Sequence, residues 1–479
     1  MERVVDINRW HKEHVKSEQE LKHVFIEVRS LYQAQPYPDY SSRLQRLLAV
    51  KQALIESQQE LARAMSEDYG YRSQFDSLIC DVMPAVQHIN YTVRNLKRWM
   101  RPERRKSGLM LMPSQVRVEC QPLGVVGVIV PWNFPIVLSV APVISAIAAG
   151  NRVMVKLSEY TPQTNRVLSQ IFSELGDHLY AIEGGSDIAI SFSQLPFDHL
   201  LFTGSTQVGK LVAKAAASNL TPVTLEMGGK SPALVAPDAD MAKAVDAIML
   251  GKALNAGQIC VAPDYVMVPK GKEQAFVELY LQRFQARFFD QERVNDLTHI
   301  INQSQFERLD QLLKDAELKG AVIHSLPCPE TDGERLMLPH LVTGVSEDMR
   351  IAQEEIFGPI LPVIGYYQFS EAIAYVNRKP KPLALYLMSR DKRLQRSVMQ
   401  QTHSGGVCIN ETLLHVAAED APFGGVGESG LGNYHGIEGF RTFSNIKTVL
   451  TTPTWLPRAQ LVLKFRHRIG RILSRWWLR

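Results

Sequence analysis

An α/β fold built on parallel strands is what the 479-residue sequence predicts, on three observations. From about residue 116, short apolar runs alternate with longer helical segments, the order that gives a parallel sheet covered on both faces. Ahead of them, residues 20–100 carry Leu44, Leu47, Leu48, Leu54, Ile55 and Leu61 at three- and four-residue spacing among Lys, Arg, Gln and Glu, which reads as a surface layer of amphipathic helices. Hydrophobic residues make up 45% and charged residues 21%, an ordinary globular composition with material for a large core.

The elements follow in chain order. Residues 123–150 contain no charge and would be long enough to cross a membrane, but Pro131, Asn133, Pro135 and Pro142 interrupt them. A buried strand at 125–130, a tight loop and a buried helix at 136–149 fit better. Further strands are expected at 152–155, 199–202, 224–225 and 233–235. A second α/β region runs from Glu226 to about residue 415, with helices at 242–254, 273–288 and 303–318 and a strand at 265–268. No repeat, low-complexity tract or Gly/Ser linker separates the two regions, so they are expected to interlock.

Charge and cysteine usage narrow the function. The net charge of +4 conceals a tail, 458–479, with seven Arg and Lys and no acidic residue; the remainder carries −3. A basic body for nucleic acid is therefore not expected, and a basic tail is. Five scattered cysteines without a Cys-x-x-Cys pair argue against a disulfide framework or a structural metal, and for a reducing compartment. The first ten residues carry charges and no apolar h-region, so no secretory signal is read and the cytoplasm is the expected location.

Gly257-Gln258-Ile259-Cys260 lies between a helix-like and a strand-like run, and Glu226 stands in Leu225-Glu226-Met227-Gly228-Gly229-Lys230. A soft sulfur nucleophile and a carboxylate, each framed by glycines, form a minimal kit for making and hydrolysing a thioester. Taken alone, Cys260 would more often be a buried small hydrophobe, Glu226 a solvated or capping carboxylate and Asn133 a turn former. Leu200 to Lys210 reads as a strand, a glycine turn at Gly204, an N-cap at Ser205 and a helix whose first N–H groups could face a pyrophosphate. It lacks the G-x-G-x-x-G fingerprint, and on its own an ordinary capped turn is the commoner meaning.

Five motifs in order resemble the NAD(P)-dependent aldehyde dehydrogenase superfamily across about residues 25 to 450. They are Pro131-Trp132-Asn133-Phe134-Pro135, the Glu226 and Cys260 motifs, Glu354-Glu355-Ile356-Phe357-Gly358-Pro359, and Pro422-Phe423-Gly424-Gly425-Val426-Gly427. The compact N-terminus, Ala262-Pro263-Asp264-Tyr265 and Tyr434-His435-Gly436 are similar to the class 3 branch and its bacterial coniferyl aldehyde dehydrogenase group.

The resemblance implies a Rossmann-like cofactor domain (20–111 and 125–225), an interlocked α/β catalytic domain (226–415) and an oligomerisation element (112–124 and 432–452) of a homodimer. It implies Cys260 as nucleophile, Glu226 as base, and the Asn133 amide with the Cys260 N–H as oxyanion donors. Lys156 and Glu159 would hold the adenosine ribose, with NAD favoured and NADP an alternative; Gly204 and Ser205 would face the pyrophosphate. Glu355 and Phe357 would contact the nicotinamide riboside, and Trp132 would pack near cofactor or substrate, or serve as a core aromatic. Cys80, Cys120, Cys328 and Cys408 read as structural.

The implied reaction is oxidation of an apolar aldehyde, aromatic such as coniferyl-type or medium to long aliphatic, to the acid. The alternatives are a cysteine-dependent esterase, an acylating dehydrogenase that passes its thioester to coenzyme A, and a non-catalytic protein on the same scaffold. Glu226 favours water as acceptor, and the cofactor positions argue against a dedicated esterase.

The tail carries its own signal. At 100° per residue, Leu461, Val462, Phe465, Ile469, Ile472, Leu473, Trp476 and Trp477 share one face, and Lys464, His467, Arg468, Arg471 and Arg475 the other, with Arg466 and Arg479 as exceptions. Such a helix suits the anionic inner surface of a membrane through 461–479, or packing on the protein itself.

Overall fold

The computed structural model describes residues 17–290, 293–327 and 335–477; the stretch read for a signal, Cys328 and Arg479 lie outside them. The expected helical layer is made by Glu18–Ala34, Tyr40–Glu56, Gln58–Tyr69 and Met83–Trp99, with the short Gln74–Ser77 and a π-helical turn, Leu78–Val82, between the last two. Ser17 and Asp39 cap the first two by accepting from Glu20 N (3.2 Å) and Ser42 N (2.8 Å), satisfying N–H groups that lack helical partners.

A six-stranded sheet follows in the order Gly430–Leu431, Val223–Met227, His199–Gly204, Val125–Ile129, Arg152–Lys156, Leu179–Ile182. All pairs are parallel except the first, where Gly430 stands opposite Glu226. Tyr40–Glu56, Met83–Trp99 and the uncharged Val137–Ala149 cover one face; Glu18–Ala34, Ser186–Ser193 and Thr206–Ala217 cover the other. Coverage on both sides is why the central strands are buried along nearly their whole length instead of alternating buried and exposed. It also settles residues 123–150, which form a core strand and a core helix. Among the described residues no helix is long and apolar enough to cross a membrane.

A second, seven-stranded sheet runs Val322–Ser325, His340–Thr343, Ile360–Tyr366, Tyr265–Pro269, Pro232–Val235, Ala384–Met388, Gly406–Ile409, parallel but for its first pair. One expectation changes here. Glu226, read as opening the second region, is hydrogen-bonded into the first sheet, and the chain enters the second only at Pro232. Glu226 and Cys260 therefore hang from different sheets.

Three antiparallel strands, Glu103–Arg105, Gln115–Pro122 and Ser444–Thr451, form a separate sheet with Ser444–Thr451 at its edge. Beyond it, Arg458–Trp477 is helical, with Phe465 leaving helical geometry (φ −109°, ψ 20°), so the single apolar face expected of the tail is interrupted there. Leu461, Val462, Leu463, Phe465 and Ile472 are all exposed.

Candidate active site

Cys260 is delivered by an unusual approach. The helix Met241–Ala253 ends in a turn where Asn255 and Ala256 adopt left-handed φ (49° and 53°), a conformation that persists in non-glycine residues only under strong local restraint. The restraint is visible: Asn255 N donates to buried Asp76 (2.9 Å), and Gln258 Nε2 donates to Asn255 O and His299 O (both 3.0 Å). Gly257 follows at φ 70°, and a Cβ there would lie 2.6 Å from Gly358 O. No larger residue fits this turn.

The loop 131–135 brings Asn133 to the same place. Its carbonyl accepts from Arg72 Nη1 (2.8 Å), Tyr69 Oη (3.2 Å) and Asn255 Nδ2 (3.3 Å), so the helical layer braces it from behind. Arg72 is itself buried beside Asp81, 3.8 Å away. The Asn133 amide gives one N–H to Gln258 O (3.2 Å); an amide nitrogen has two, which leaves the other for a ligand.

These residues open on one cavity of about 430 Å³, lined by Trp132, Asn133, Gly204, Ser205, Glu226, Cys260, Glu355 and Phe357 among others. Eight of the ten residues singled out in the sequence thus meet in one space. Lys156 and Glu159 do not line it. They follow the Arg152–Lys156 strand, where buried Lys156 donates to Leu157 O (2.7 Å) and Glu159 (3.3 Å). Trp132 and Phe357 meet edge to face, 5.4 Å apart.

Glu226 is 2% exposed and its Oε1 has no partner, so burial holds its carboxyl well above the usual carboxylate range. The Cys260 thiol is pushed up to about 12 by burial first and then by the Glu226 and Glu355 carboxylates. Both shifts run toward the protonated form, because burial disfavours the charged one.

The cavity also contains residues that sequence reasoning missed. Thr203 Oγ1 is buried without a partner, and Gln207, Gln305, Arg308 and Leu138 complete the lining. Arg308 donates to Glu355 O (3.3 Å) and Ile356 O (2.5 Å), acceptors nearly fifty positions away that no local pattern announces.

The residues fit a dinucleotide. Ser205 caps Thr206–Ala217 by accepting from Val208 N (3.4 Å), leaving the helix N-terminus open at the carboxyl end of a parallel strand. Gly228 leaves the space that Glu355 occupies, since a Cβ there would sit inside the carboxylate.

A doubly wound sheet with a half-buried cysteine and a buried carboxylate and amide converging beside a helix N-terminus defines a nicotinamide-dependent oxidoreductase of thioester type. The model of the aldehyde dehydrogenase family matches residues 18–449, and the chain belongs to that family. It is 47% identical over 463 residues to a probable coniferyl aldehyde dehydrogenase of Pseudomonas aeruginosa, covering 96% of this chain and 97% of that one. It is 37% identical to the 4,4'-diaponeurosporen-aldehyde dehydrogenase of Staphylococcus aureus, covering 90% and 94%. Among solved structures, the substrate-bound state of Staphylococcus aureus AldH superposes with a TM-score of 0.88 at 34% identity, covering 94% and 99%. Betaine aldehyde dehydrogenase of the same organism, solved with NAD+, gives 0.82 at 25%, covering 92% and 90%. The protein is an aldehyde dehydrogenase that oxidises aldehydes to acids with a nicotinamide cofactor.

Proposed function

We propose that the substrate is an apolar aldehyde, aromatic of the coniferyl type or medium to long aliphatic, and that NAD is the preferred cofactor with NADP accepted. The observation that carries the scheme is the meeting of Cys260, Glu226 and Asn133 in one cavity walled by Trp132 and Phe357. Cys260 loses its proton to Glu226 and its sulfur attacks the aldehyde carbon. The Asn133 amide and the Cys260 N–H stabilise the resulting oxyanion; one such donor is typically worth about 2.7 to 4 kcal/mol. Glu355 and Phe357 would hold a nicotinamide, which when bound would supply a positive charge near the Cys260 sulfur and an acceptor for the hydride that the aldehyde carbon gives up. Glu226 releases the Cys260 proton to solvent and, ionised again, takes a proton from the water that attacks the thioester carbon; the C–S bond breaks, the acid leaves and the Cys260 sulfur is freed. Glu159 and Lys156 hold the adenosine ribose, and Gly204 and Ser205 face the pyrophosphate.

Around this chemistry, residues 20–111 with 125–225 serve as the cofactor domain and 226–415 as the catalytic domain, whose first two residues, Glu226 and Met227, are still paired into the first sheet. Residues 112–124 and 432–452 join two copies into a homodimer. Ser444–Thr451 supports that reading, since it is an eight-residue edge strand with Ile446 and Leu450 exposed, a template for pairing. The enzyme resides in the cytoplasm, and its tail rests on an anionic membrane surface. Exposed Leu461, Val462, Phe465 and Ile472 beside Lys464, Arg468, Arg471 and Arg475 give that contact both apolar area and charge.

Steady-state profiling of the purified enzyme with benzaldehyde, coniferyl aldehyde, hexanal and hexadecanal, each with NAD and NADP, tests the proposal. An apolar aldehyde is expected to give the highest kcat/KM, and NAD the higher value of the two cofactors. A preference for small polar aldehydes would overturn it.

A further inference from the structure

Lys230 and Asp264 make and break no bond in the scheme above, yet both are buried, at 7% and 3% exposure. The Lys230 ammonium gives its three N–H groups to three acceptors: Ile351 O (2.8 Å), Glu354 O (2.9 Å) and the Asp264 carboxylate. Asp264 uses its second oxygen to accept from Ile356 N (2.8 Å), and its own N–H donates to Ser231 O (2.8 Å). Three stretches meet at this pair. One is 226–231, which begins with Glu226; the second is 260–264, which begins with Cys260; the third is 351–357, which ends with Glu355 and Phe357.

The third stretch has particular need of anchoring. Phe357 adopts φ 52°, unfavourable for a bulky residue, and in that conformation its ring stands edge-on to Trp132 across the cavity. Strained conformations persist where their surroundings over-determine them. Arg308 holds the stretch from the helix side; Lys230 and Asp264 hold it from the side of the reacting groups.

We infer that the Lys230–Asp264 pair is a positioning device that fixes Glu355 and Phe357, and with them the nicotinamide, at the right separation from Cys260. The inference rests on the reading that the nicotinamide riboside lies against Glu355 and Phe357. A fold-holding pair would support every activity of the enzyme equally. A positioning pair serves the step that needs the cofactor in register, because a reacting partner displaced by about an ångström can lose about a hundred-fold in rate.

Full-length Lys230→Met, the near-isosteric Asp264→Asn and Glu355→Gln separate these roles. Each is assayed for KM of NAD, for kcat of aldehyde oxidation, and for hydrolysis of p-nitrophenyl acetate without cofactor, with the melting temperature confirming folded protein. For Lys230→Met and Asp264→Asn, kcat/KM for NAD is expected to fall about ten- to a hundred-fold while ester hydrolysis per folded molecule stays near wild type. Parallel loss of both activities in folded protein would make the pair structural and overturn the inference, as would unchanged NAD parameters. If Glu355→Gln alone moves the NAD parameters, only the positioning role falls. If none of the three does, the nicotinamide placement falls with it. Should Lys230→Met fail to fold, Asp264→Asn carries the same readouts.

Discussion

At the scale of single residues, the proposed chemistry turns on a carboxyl whose proton affinity burial raises. Glu226→Gln is expected to leave a burst of NADH close to one equivalent per site while steady turnover collapses, because acylation outlives the loss of the base that activates water. Stopped-flow absorbance measures both phases; an unchanged steady rate would place water activation elsewhere. The direction of the Glu226 shift sets the pH dependence too. Since only the ionised form accepts a proton, deacylation is expected to rise with pH through a midpoint well above the ordinary carboxylate range of about 4.3. If Glu159 holds the adenosine ribose as proposed, Glu159→Gln is expected to raise kcat/KM for NADP relative to NAD, read directly as that ratio. The site was largely legible at this scale, because Cys260, Glu226, Asn133, Glu355 and Phe357 sit in short motifs. Arg72, Asn255 and Arg308 were not, since each acts by donating to a backbone carbonyl far along the chain, and a carbonyl has no letter in a sequence.

At the scale of elements, periodicity located the pieces well where they are long. Glu273–Phe288 and Gln303–Leu318 fall where their spacing put them, whereas the strand expected at 224–225 extends over Val223–Met227. What the pattern could not convey is which sheet a strand joins, and so it placed Glu226 in the wrong one; strand order is decided by crossovers and packing. The helical layer contributes to the site through buried Arg72 and Asp81. Burial pushes the Asp81 carboxyl up to about 7 against the pull of Arg72 and the N–H of Val137. A folded-state value above the unfolded one means that this residue's contribution to stability is full below the unfolded value and is lost as pH rises through about 7. Asp81→Asn keeps an acceptor for Val137, and its melting temperature is expected to fall less than wild type between about pH 5 and pH 8. Equal slopes in a differential scanning measurement would refute this.

At the scale of the whole molecule, the candidate site draws on two sheets, and among the described residues the Ser444–Thr451 edge and the apolar side chains of the tail beyond Arg458 stay exposed. Sedimentation at micromolar concentration is expected to give a dimer, and charge substitutions at Ile446 and Leu450 to shift it toward monomer. Truncation after Pro457 is expected to abolish flotation with anionic vesicles and leave aldehyde oxidation in solution intact. Flotation of the full chain is expected to weaken with salt, as screening shortens the reach of its charges. Salt-independent absence of binding by the full chain would leave the tail a role in packing alone. These surfaces were readable from composition, since a run of seven basic residues without an acidic one stands out in any sequence. The break at Phe465 was not, because nothing in the residue type there forbids helix.

The edge-on contact of Trp132 with Phe357 gives the cavity an optical property. Reduced nicotinamides absorb where tryptophan emits, so a cofactor seated beside Trp132 drains its fluorescence. Of the other tryptophans whose side chains are described, Trp99 is buried against Phe440 and Trp455 is exposed near the foot of the tail; neither lines the cavity. With the cofactor placed as proposed, Trp132 emission is expected to dim as NADH forms and to recover as it departs, timing product release without a label.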